Sequence, residues 1–173
     1  MNRVESKLGG WSFEPELYYF LRSNLPDGST ILELGSGQGT GVLSNHYKMV
    51  SIEHNERFIS RYNSTYIHAP MLGHWYDINV LEPNLVSLWG KYDCILVDGP
   101  VGSESRNRIG FWENITMFDV SKMILIDDTN RSGEMMLFEK VIDYCDYGFD
   151  MERASEQKRK FQHFKTFSVI FAE

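Results

Sequence analysis

A glycine-rich turn after a short apolar segment constrains the fold of this chain more than any other feature. The stretch runs Thr30-Ile-Leu-Glu-Leu-Gly-Ser-Gly-Gln-Gly-Thr40. Its apolar residues predict a buried strand, and Gly35, Gly37 and Gly39 predict a tight turn into a helix that begins near Thr40. Glycine suits positions where φ is positive or where a ligand must touch the backbone. The stretch therefore predicts a ligand-binding βα turn near the start of an α/β domain.

The spacing of the glycines distinguishes between two classes of ligand. A dinucleotide fingerprint needs its third glycine five residues after the first, and Thr40 occupies that position. A pyrophosphate ligand is therefore disfavoured. The stretch instead reads acidic-x-Gly-x-Gly-x-Gly, with Glu33 as the acidic residue. This pattern resembles the first motif of the class I S-adenosyl-L-methionine-dependent methyltransferases, which have a Rossmann-like fold.

Helix and strand patterns alternate along the rest of the chain. Strands are predicted at 49–52, 66–67, 95–97 and 123–126, and helices at 14–25, 41–47, 55–62, 107–118 and around Leu137. Residues 69–90 look irregular, with a helix near 84–89. Alternation predicts an α/β fold with a doubly wound, parallel sheet, and two final strands at 149–154 and 166–171 predict an antiparallel pair. The resemblance implies seven strands, mostly parallel, with an antiparallel last strand.

Length, charge and cysteine content limit the classes of protein. The 173 residues suit one domain, predicted at 14–173 after a mobile N-terminal arm at 1–13. The net charge of -7 argues against nucleic acid as the main partner. Cys94 and Cys145 lack metal-ligand spacing and suit a reduced, cytoplasmic protein. No apolar run approaches ~20 residues, so no membrane span is expected.

The carboxyl ends of the strands are where a doubly wound sheet binds its ligand. Glu53 ends the second strand, about 20 residues past the first glycine, where a carboxylate can bind ribose hydroxyls. A solvated strand-end glutamate is the alternative. The resemblance implies that Glu33 faces the cationic methionine end of S-adenosylmethionine. The cofactor contacts are expected to include Gly35, Ser36, Gly37, Gly39, His54 and Asp98.

The third strand lacks the acidic or amide residue that often binds adenine in this family. The sequence there reads Tyr66-Ile-His-Ala-Pro70. Either His68 or a backbone amide is therefore expected to contact the adenine.

Asp98 ends the fourth strand and is the predicted catalytic residue. It lies in Asp-Gly-Pro-Val rather than in the Asn/Asp-Pro-Pro-Tyr/Phe that is typical of methyltransferases acting on base or amide nitrogen. A carboxylate there suits deprotonation of a hydroxyl or the binding of a metal. The alternative is a strand-end aspartate that caps the next turn.

Two adjacent aspartates, Asp127 and Asp128, end the fifth strand. This arrangement is similar to the metal-dependent O-methyltransferases of the catechol and caffeoyl-CoA type. That resemblance implies that Asp98 and Asp128 hold a divalent cation, Mg²⁺ or Mn²⁺, and that Asp128 takes part in catalysis. Thr129 stands where that family has asparagine, and Arg131 offers an ion-pair partner instead of a metal.

Aromatic and arginine residues near the same edge are candidates for binding the acceptor. Arg106 and Arg108 would suit an anionic acceptor, or they could be exposed residues of a helical first turn. Trp75 and Tyr76 could form a substrate wall or a packed loop. Arg131 is a further candidate.

The sequence therefore predicts a methyltransferase that uses S-adenosylmethionine to methylate an oxygen of a small or medium-sized acceptor. RNA or protein as the acceptor is one alternative. A non-catalytic subunit that only binds S-adenosylmethionine is another.

Overall fold

A seven-stranded sheet with helices on both faces forms the protein. The computed structural model describes residue 8 and residues 12–101, 108–148 and 158–172. The strands are β1 (Thr30–Leu34), β2 (Lys48–Glu53), β3 (Thr65–His68), β4 (Met71–Leu72), β5 (Trp75–Tyr76), β6 (Cys94–Val97), β7 (Met123–Asp127), β8 (Phe161–His163) and β9 (Phe167–Ile170). The helices are α1 (Pro15–Asn24), α2 (Gln38–Leu43), α3 (Ile78–Leu88), α4 (Gly110–Glu113) and α5 (Ser132–Tyr147).

The strand order of the large sheet is β3-β2-β1-β6-β7-β9-β8. The first five strands in this order pair in parallel. The last strand, β9, lies antiparallel between β7 and β8. The predicted fold is confirmed, including the antiparallel last strand. Strands β4 and β5 form a separate hairpin.

Alternate side chains of the central strands enter two different cores, as the pleat of a strand requires. Ile31 and Leu96 belong to the core beneath α1 and α2. Leu32 and Ile95 belong to the core beneath α3, α4 and α5. All four side chains are fully buried. Because both faces of β1 and β6 are covered, these strands read as continuous apolar runs in the sequence.

The order of the sheet reverses between β1 and β6, and this reversal positions the site. Gly35, with φ +88°, follows β1. Gly99 follows β6, and a Cβ atom built on Gly99 would lie 2.6 Å from Cα of Gly35. The two turns therefore touch through backbone alone. A crevice opens beside them at the carboxyl ends of the strands, where α/β sheets bind ligands.

Several predicted helices differ from the observed ones. The helix predicted at 55–62 is wrong: only a 3₁₀ turn at Glu56–Phe58 forms, because Ile59 is extended and Ser60 has φ +59°. The helix predicted at 107–118 is α4 followed by a 3₁₀ turn at Ile115–Met117, with residue 107 outside the described residues. The strand predicted at 149–154 also lies outside them, and β8 at Phe161–His163 was not predicted.

The segment predicted as irregular, 69–90, is mostly regular. It contains the β4–β5 hairpin and α3, which starts earlier than the predicted 84–89. Asp77 caps α3 because its side chain accepts a hydrogen bond from the backbone N–H of Asn79 at 3.0 Å. Pro83 lies inside the helix without ending it.

Most of the predicted arm, 1–13, lies outside the described residues. Its last residue, Phe13, is buried, with 1% of its surface exposed, and packs against the backbone of Gly39. Among the described helices, none has the length and apolar character needed to cross a bilayer.

Candidate active site

A cavity of about 680 Å³ lies at the carboxyl ends of β1, β2, β6 and β7. This volume is in the usual range for sites that bind small molecules. The lining residues come from six parts of the chain: Ser12, 33–40 without Leu34, 53–62 in part, 98–101, Arg108, and 127–131 in part. Most of the candidate site residues predicted from the sequence therefore line this cavity.

The glycine turn forms one wall of the cavity with exposed backbone. Gly35 N–H donates to the carbonyl of Ile52 at 2.8 Å, which ties the turn to β2. Gly37 lines the cavity, and a Cβ atom built there would meet nothing within 4 Å. The N–H of Gly37 donates to Oγ1 of Thr40 at 3.0 Å. A ligand can therefore approach the backbone at Gly37 without meeting a side chain.

Glu53 holds the turn in place from the end of β2. Its Oε2 accepts the N–H of Ser36 and its Oε1 accepts the N–H of Asn55, both at 2.7 Å. Nδ1 of His54 lies 3.1 Å from Oε1. The carboxylate is 3% exposed, yet it and His54 line the cavity. Each carboxylate oxygen has two lone pairs, so Oε2, which accepts one N–H, retains capacity for a ligand hydroxyl.

Glu33 is buried at the end of β1, beneath the glycine turn. Its Oε2 accepts hydrogen bonds from the hydroxyls of Thr40 and Ser51, each at 2.8 Å. Burial raises the pKa of Glu33 from 4.5 to about 7, and the two hydroxyls oppose this shift. A cationic group placed in the cavity would stabilise the ionised form.

Three carboxylates meet where β6 and β7 end. An oxygen of each of Asp98, Asp127 and Asp128 lies within 4.8 Å of the others. Burial raises the pKa of Asp98 to about 7, with Arg108 opposing the shift. Burial also raises the pKa of Asp127 well above its ordinary value. Asp128 has φ +62°, a conformation that its short polar side chain tolerates. We call these three residues the carboxylate cluster.

Two arginines contact the carboxylate cluster. Arg108 is 3% exposed, and its Nη2 lies 2.9 Å from Asp128 Oδ2 and 3.4 Å from Asp98 Oδ1. Arg131 is half exposed, and its Nη1 lies 2.8 Å from the same oxygen of Asp128. Both arginines line the cavity. The cluster is therefore partly neutralised by the protein itself.

Comparison with known proteins identifies the fold. No protein-family model and no curated protein sequence matches the chain. The solved structure of the MycE methyltransferase of the mycinamycin pathway, with Mg, S-adenosylhomocysteine and mycinamycin VI, superposes with a TM-score of 0.60 at 14% identity over 96% of this chain. Fibrillarin of Aeropyrum pernix, with natively bound S-adenosylmethionine, gives a TM-score of 0.51 at 13% identity over 90% of this chain. The chain has the class I methyltransferase fold.

The chain is shorter than these methyltransferases. It spans 51% of the MycE chain and 73% of the fibrillarin chain.

Some predicted site residues lie outside the cavity of this methyltransferase fold. His68 is exposed, and its Nε2 lies 3.3 Å from the carbonyl oxygen of His54. Trp75 and Tyr76 are 3% and 1% exposed and pack in the core, which matches the packed-loop alternative. Arg106 lies outside the described residues.

Other lining residues were not predicted. Phe58, Arg61 and Tyr62 line the cavity, and the Arg61 guanidinium lies 5.6 and 5.8 Å from the centres of the Phe58 and Tyr62 rings. A regular helix at 55–62, as the sequence predicts, does not indicate that these three residues meet at the cavity. Asp127 had been noted only as the neighbour of Asp128.

The donor set of the carboxylate cluster suits a divalent cation. Mg²⁺, Mn²⁺ and Ca²⁺ prefer carboxylate oxygens, and three acidic residues offer them here. Asp98 and Asp128 were the predicted ligands, and Asp127 adds a third. Arg108 opposes a cation because it already bonds an oxygen of each predicted ligand.

Proposed function

We propose that the protein is a methyltransferase that transfers the methyl group of S-adenosylmethionine to an oxygen atom of a small or medium-sized acceptor. One observation carries the proposal: in a methyltransferase fold, the glycine turn, Glu33, Glu53 and Asp98 line a single cavity. When bound, S-adenosylmethionine supplies a methyl group on a sulfonium, which an acceptor oxygen takes as the carbon–sulfur bond breaks, leaving S-adenosylhomocysteine.

The residues around the glycine turn fit the cofactor. Glu53 would accept hydrogen bonds from ribose hydroxyls, since its Oε2 accepts only the N–H of Ser36 among the described residues. Glu33 would provide negative charge for the cationic methionine end, and ligand binding there would favour its ionised form. The open backbone at Gly37 leaves room for close approach.

Asp98 would act as the general base. Its pKa of about 7 is close to the operating pH, which is where proton transfer by a side chain is most effective. Its side chain is 24% exposed, so an acceptor hydroxyl can reach it. The carboxylate would take the hydroxyl proton as the oxygen attacks.

A divalent cation, if bound, would be held by Asp98, Asp127 and Asp128. It would lower the pKa of an acceptor hydroxyl and orient it. Such a cation would have to share Asp98 and Asp128 with Arg108, which already bonds an oxygen of each.

The acceptor is proposed to be a small molecule rather than RNA or protein. The net charge of -7 and the acidic cluster in the cavity disfavour a polyphosphate backbone. A nucleic-acid acceptor would show steep salt dependence of binding, whereas a neutral hydroxyl compound would not.

The exchange Asp98→Asn tests the catalytic assignment. Calorimetry should first show that S-adenosylmethionine and S-adenosylhomocysteine bind while NAD and ATP do not. A panel of hydroxyl compounds is then screened for formation of S-adenosylhomocysteine. Because asparagine keeps the shape but loses basicity, turnover should fall by ~10²–10⁴ with nearly constant cofactor affinity.

Asp93→Asn is the matched control. Asp93 lies just before the opposite end of the same strand, β6, where its side chain accepts the N–H of Thr30 at 2.8 Å. Its exchange should leave turnover unchanged. Wild-type turnover in Asp98→Asn would remove Asp98 from catalysis and leave it as a turn-capping residue. A protein that binds the cofactor but methylates no acceptor would support the non-catalytic alternative.

A further inference from the structure

Arg108 contacts the end of the sheet through all three nitrogens of its guanidinium group. Its Nη1 donates to the carbonyl of Asp127 at 3.0 Å, and its Nε lies 3.4 Å from the carbonyl of Pro100. Its Nη2 faces Asp98 and Asp128. The side chain is 4% exposed. Its donors are therefore directed at the protein and not into free solvent.

These contacts put a fixed positive charge inside the carboxylate cluster. A cation that bridges Asp98 and Asp128 needs an oxygen from each residue, and Nη2 of Arg108 already bonds one oxygen of each. A guanidinium remains charged at every accessible pH. Because the site is buried, its repulsion of a second cation is weakly screened.

We propose that Arg108 is the resident counter-cation of the carboxylate cluster and competes with a divalent cation for Asp98 and Asp128. Arg108 then determines how tightly the carboxylate cluster binds a divalent cation. With Arg108 in place the cluster binds a cation weakly, and without it the three aspartates form a stronger cation site. The proposal concerns the site of the proposed function but does not depend on methyl transfer.

Arg131 provides the internal comparison. It bonds the same oxygen of Asp128, so it contributes the same charge at a similar distance. It is 53% exposed, however, and water screens its charge. No contact joins it to Asp98 among the ion pairs of the described residues. Loss of Arg131 should therefore change cation affinity much less than loss of Arg108.

Binding of Mn²⁺ to the free protein tests the competition. The free Mn²⁺ signal in electron paramagnetic resonance is titrated for wild type, Arg108→Gln, Arg108→Lys and Arg131→Gln, without cofactor or acceptor. Arg108→Gln should bind Mn²⁺ at least ~10-fold more tightly than wild type, since a like charge is removed. Arg108→Lys and Arg131→Gln should stay within about threefold of wild type.

A further variant locates the new site. Adding Asp128→Asn to Arg108→Gln should abolish the gain, because one of the three ligands is lost. A gain that survives this exchange would place the Mn²⁺ elsewhere and overturn the proposal. Equal affinity in wild type and Arg108→Gln, or an equal gain in Arg108→Lys, would also overturn it.

Thermal stability gives a second readout, because loss of a buried arginine leaves its acceptors unpaired. Arg108→Gln should melt at a lower temperature than wild type, and Mg²⁺ should raise its melting temperature more than that of wild type. If the variant is unfolded without cation, Mg²⁺ should restore its circular dichroism. If about 10 mM Mg²⁺ does not restore the circular dichroism of the variant, Arg108 does not compete with a divalent cation for this site. These measurements do not depend on catalysis, so they remain valid if the protein is found to methylate no acceptor.

Discussion

Glu53 accepts backbone N–H groups from both Ser36 and Asn55, so it shapes the glycine turn as well as lining the cavity. The exchange Glu53→Ala removes these acceptors and the proposed ribose contact. Affinity for S-adenosylhomocysteine should fall by about 1.5–3 kcal/mol, the usual size for charge-assisted hydrogen bonds. Isothermal calorimetry measures the change.

Glu56→Ala is the control for this exchange. Glu56 is an exposed acidic residue in the adjacent 3₁₀ turn, so the same net charge is lost without the hydrogen bonds. Its affinity should match wild type. Unchanged affinity in Glu53→Ala would remove the ribose assignment.

The raised pKa values of Glu33 and Asp98 predict that stability depends on pH. Both values lie near 7 in the folded protein, against 4.5 and 3.8 for the free side chains. The folded state therefore binds these protons more tightly than the unfolded state. Stability from these groups is complete below about pH 4 and is lost as the pH rises through 7. Burial shifts Asp127 in the same direction.

Melting temperatures between pH 5 and pH 8 measure this dependence. They should fall as the pH rises, and the fall should be smaller in Glu33→Gln, which cannot ionise. An identical slope in wild type and Glu33→Gln would show that Glu33 does not titrate in this range.

The acidic residues could be predicted from the sequence because each lies within one residue of a strand end. Glu33, Glu53 and Asp98 each lie at or next to the last residue of an apolar run, and all three line the cavity. The environment of Arg108 could not be predicted. Its contact with Asp128 spans 20 residues and depends on the path of the chain after β6.

At the scale of elements, helices were harder to place than strands. Buried strands are marked by short apolar runs, and every predicted strand in the described residues up to β7 was found. The helix predicted at 55–62 fails because Asn55 and Ile59 are extended and Ser60 has positive φ. Helix α3 begins at Ile78, upstream of the predicted 84–89, because Asp77 caps its first turn.

The glycines at the start of α2 have different roles, in packing and in ligand access, and alanine substitutions distinguish these roles. A Cβ atom at position 39 would lie 2.2 Å from the ring of Phe13, so Gly39→Ala must displace that buried side chain. It should lower stability by about 1–3 kcal/mol, the usual cost of overpacking. Chemical denaturation measures this loss.

Gly37→Ala is the matched exchange in the same helix start. Position 37 has φ -167°, which any residue adopts, and nothing lies within 4 Å of its Cβ position. Its stability should remain near wild type, while cofactor affinity falls because the added methyl group enters the cavity. Equal stability of both variants would mean that Phe13 does not pack against Gly39 in solution.

For the whole molecule, the position of the last strand decides how the sheet is completed. Alternating strands and helices predict the parallel part, since each crossover is right-handed. The antiparallel pairing of β9 follows from its short connection to β8. Its insertion beside β7 could be expected only from the resemblance to class I methyltransferases. The insertion pairs Asp127 of the carboxylate cluster with Phe167, which is fully buried.

The same architecture predicts which edge of the molecule responds to ligand. Hydrogen exchange is compared for the free protein and the protein with S-adenosylhomocysteine. Protection should appear at 33–40, 53–58 and 98–101, because these segments line the cavity at the carboxyl ends of the strands. The turns at the opposite edge, 26–29, 45–47 and 91–93, provide the control and should exchange at unchanged rates.

An acceptor found in the screen should extend the protection in a defined direction. With cofactor already bound, added protection is expected in 99–108, the segment that follows Asp98, since loops at this edge carry recognition. Protection confined to 26–29, 45–47 and 91–93 would contradict both the cofactor site and the acceptor site. If S-adenosylhomocysteine protects the cavity but the acceptor adds no protection, the cofactor site is supported. The acceptor then binds at a different place.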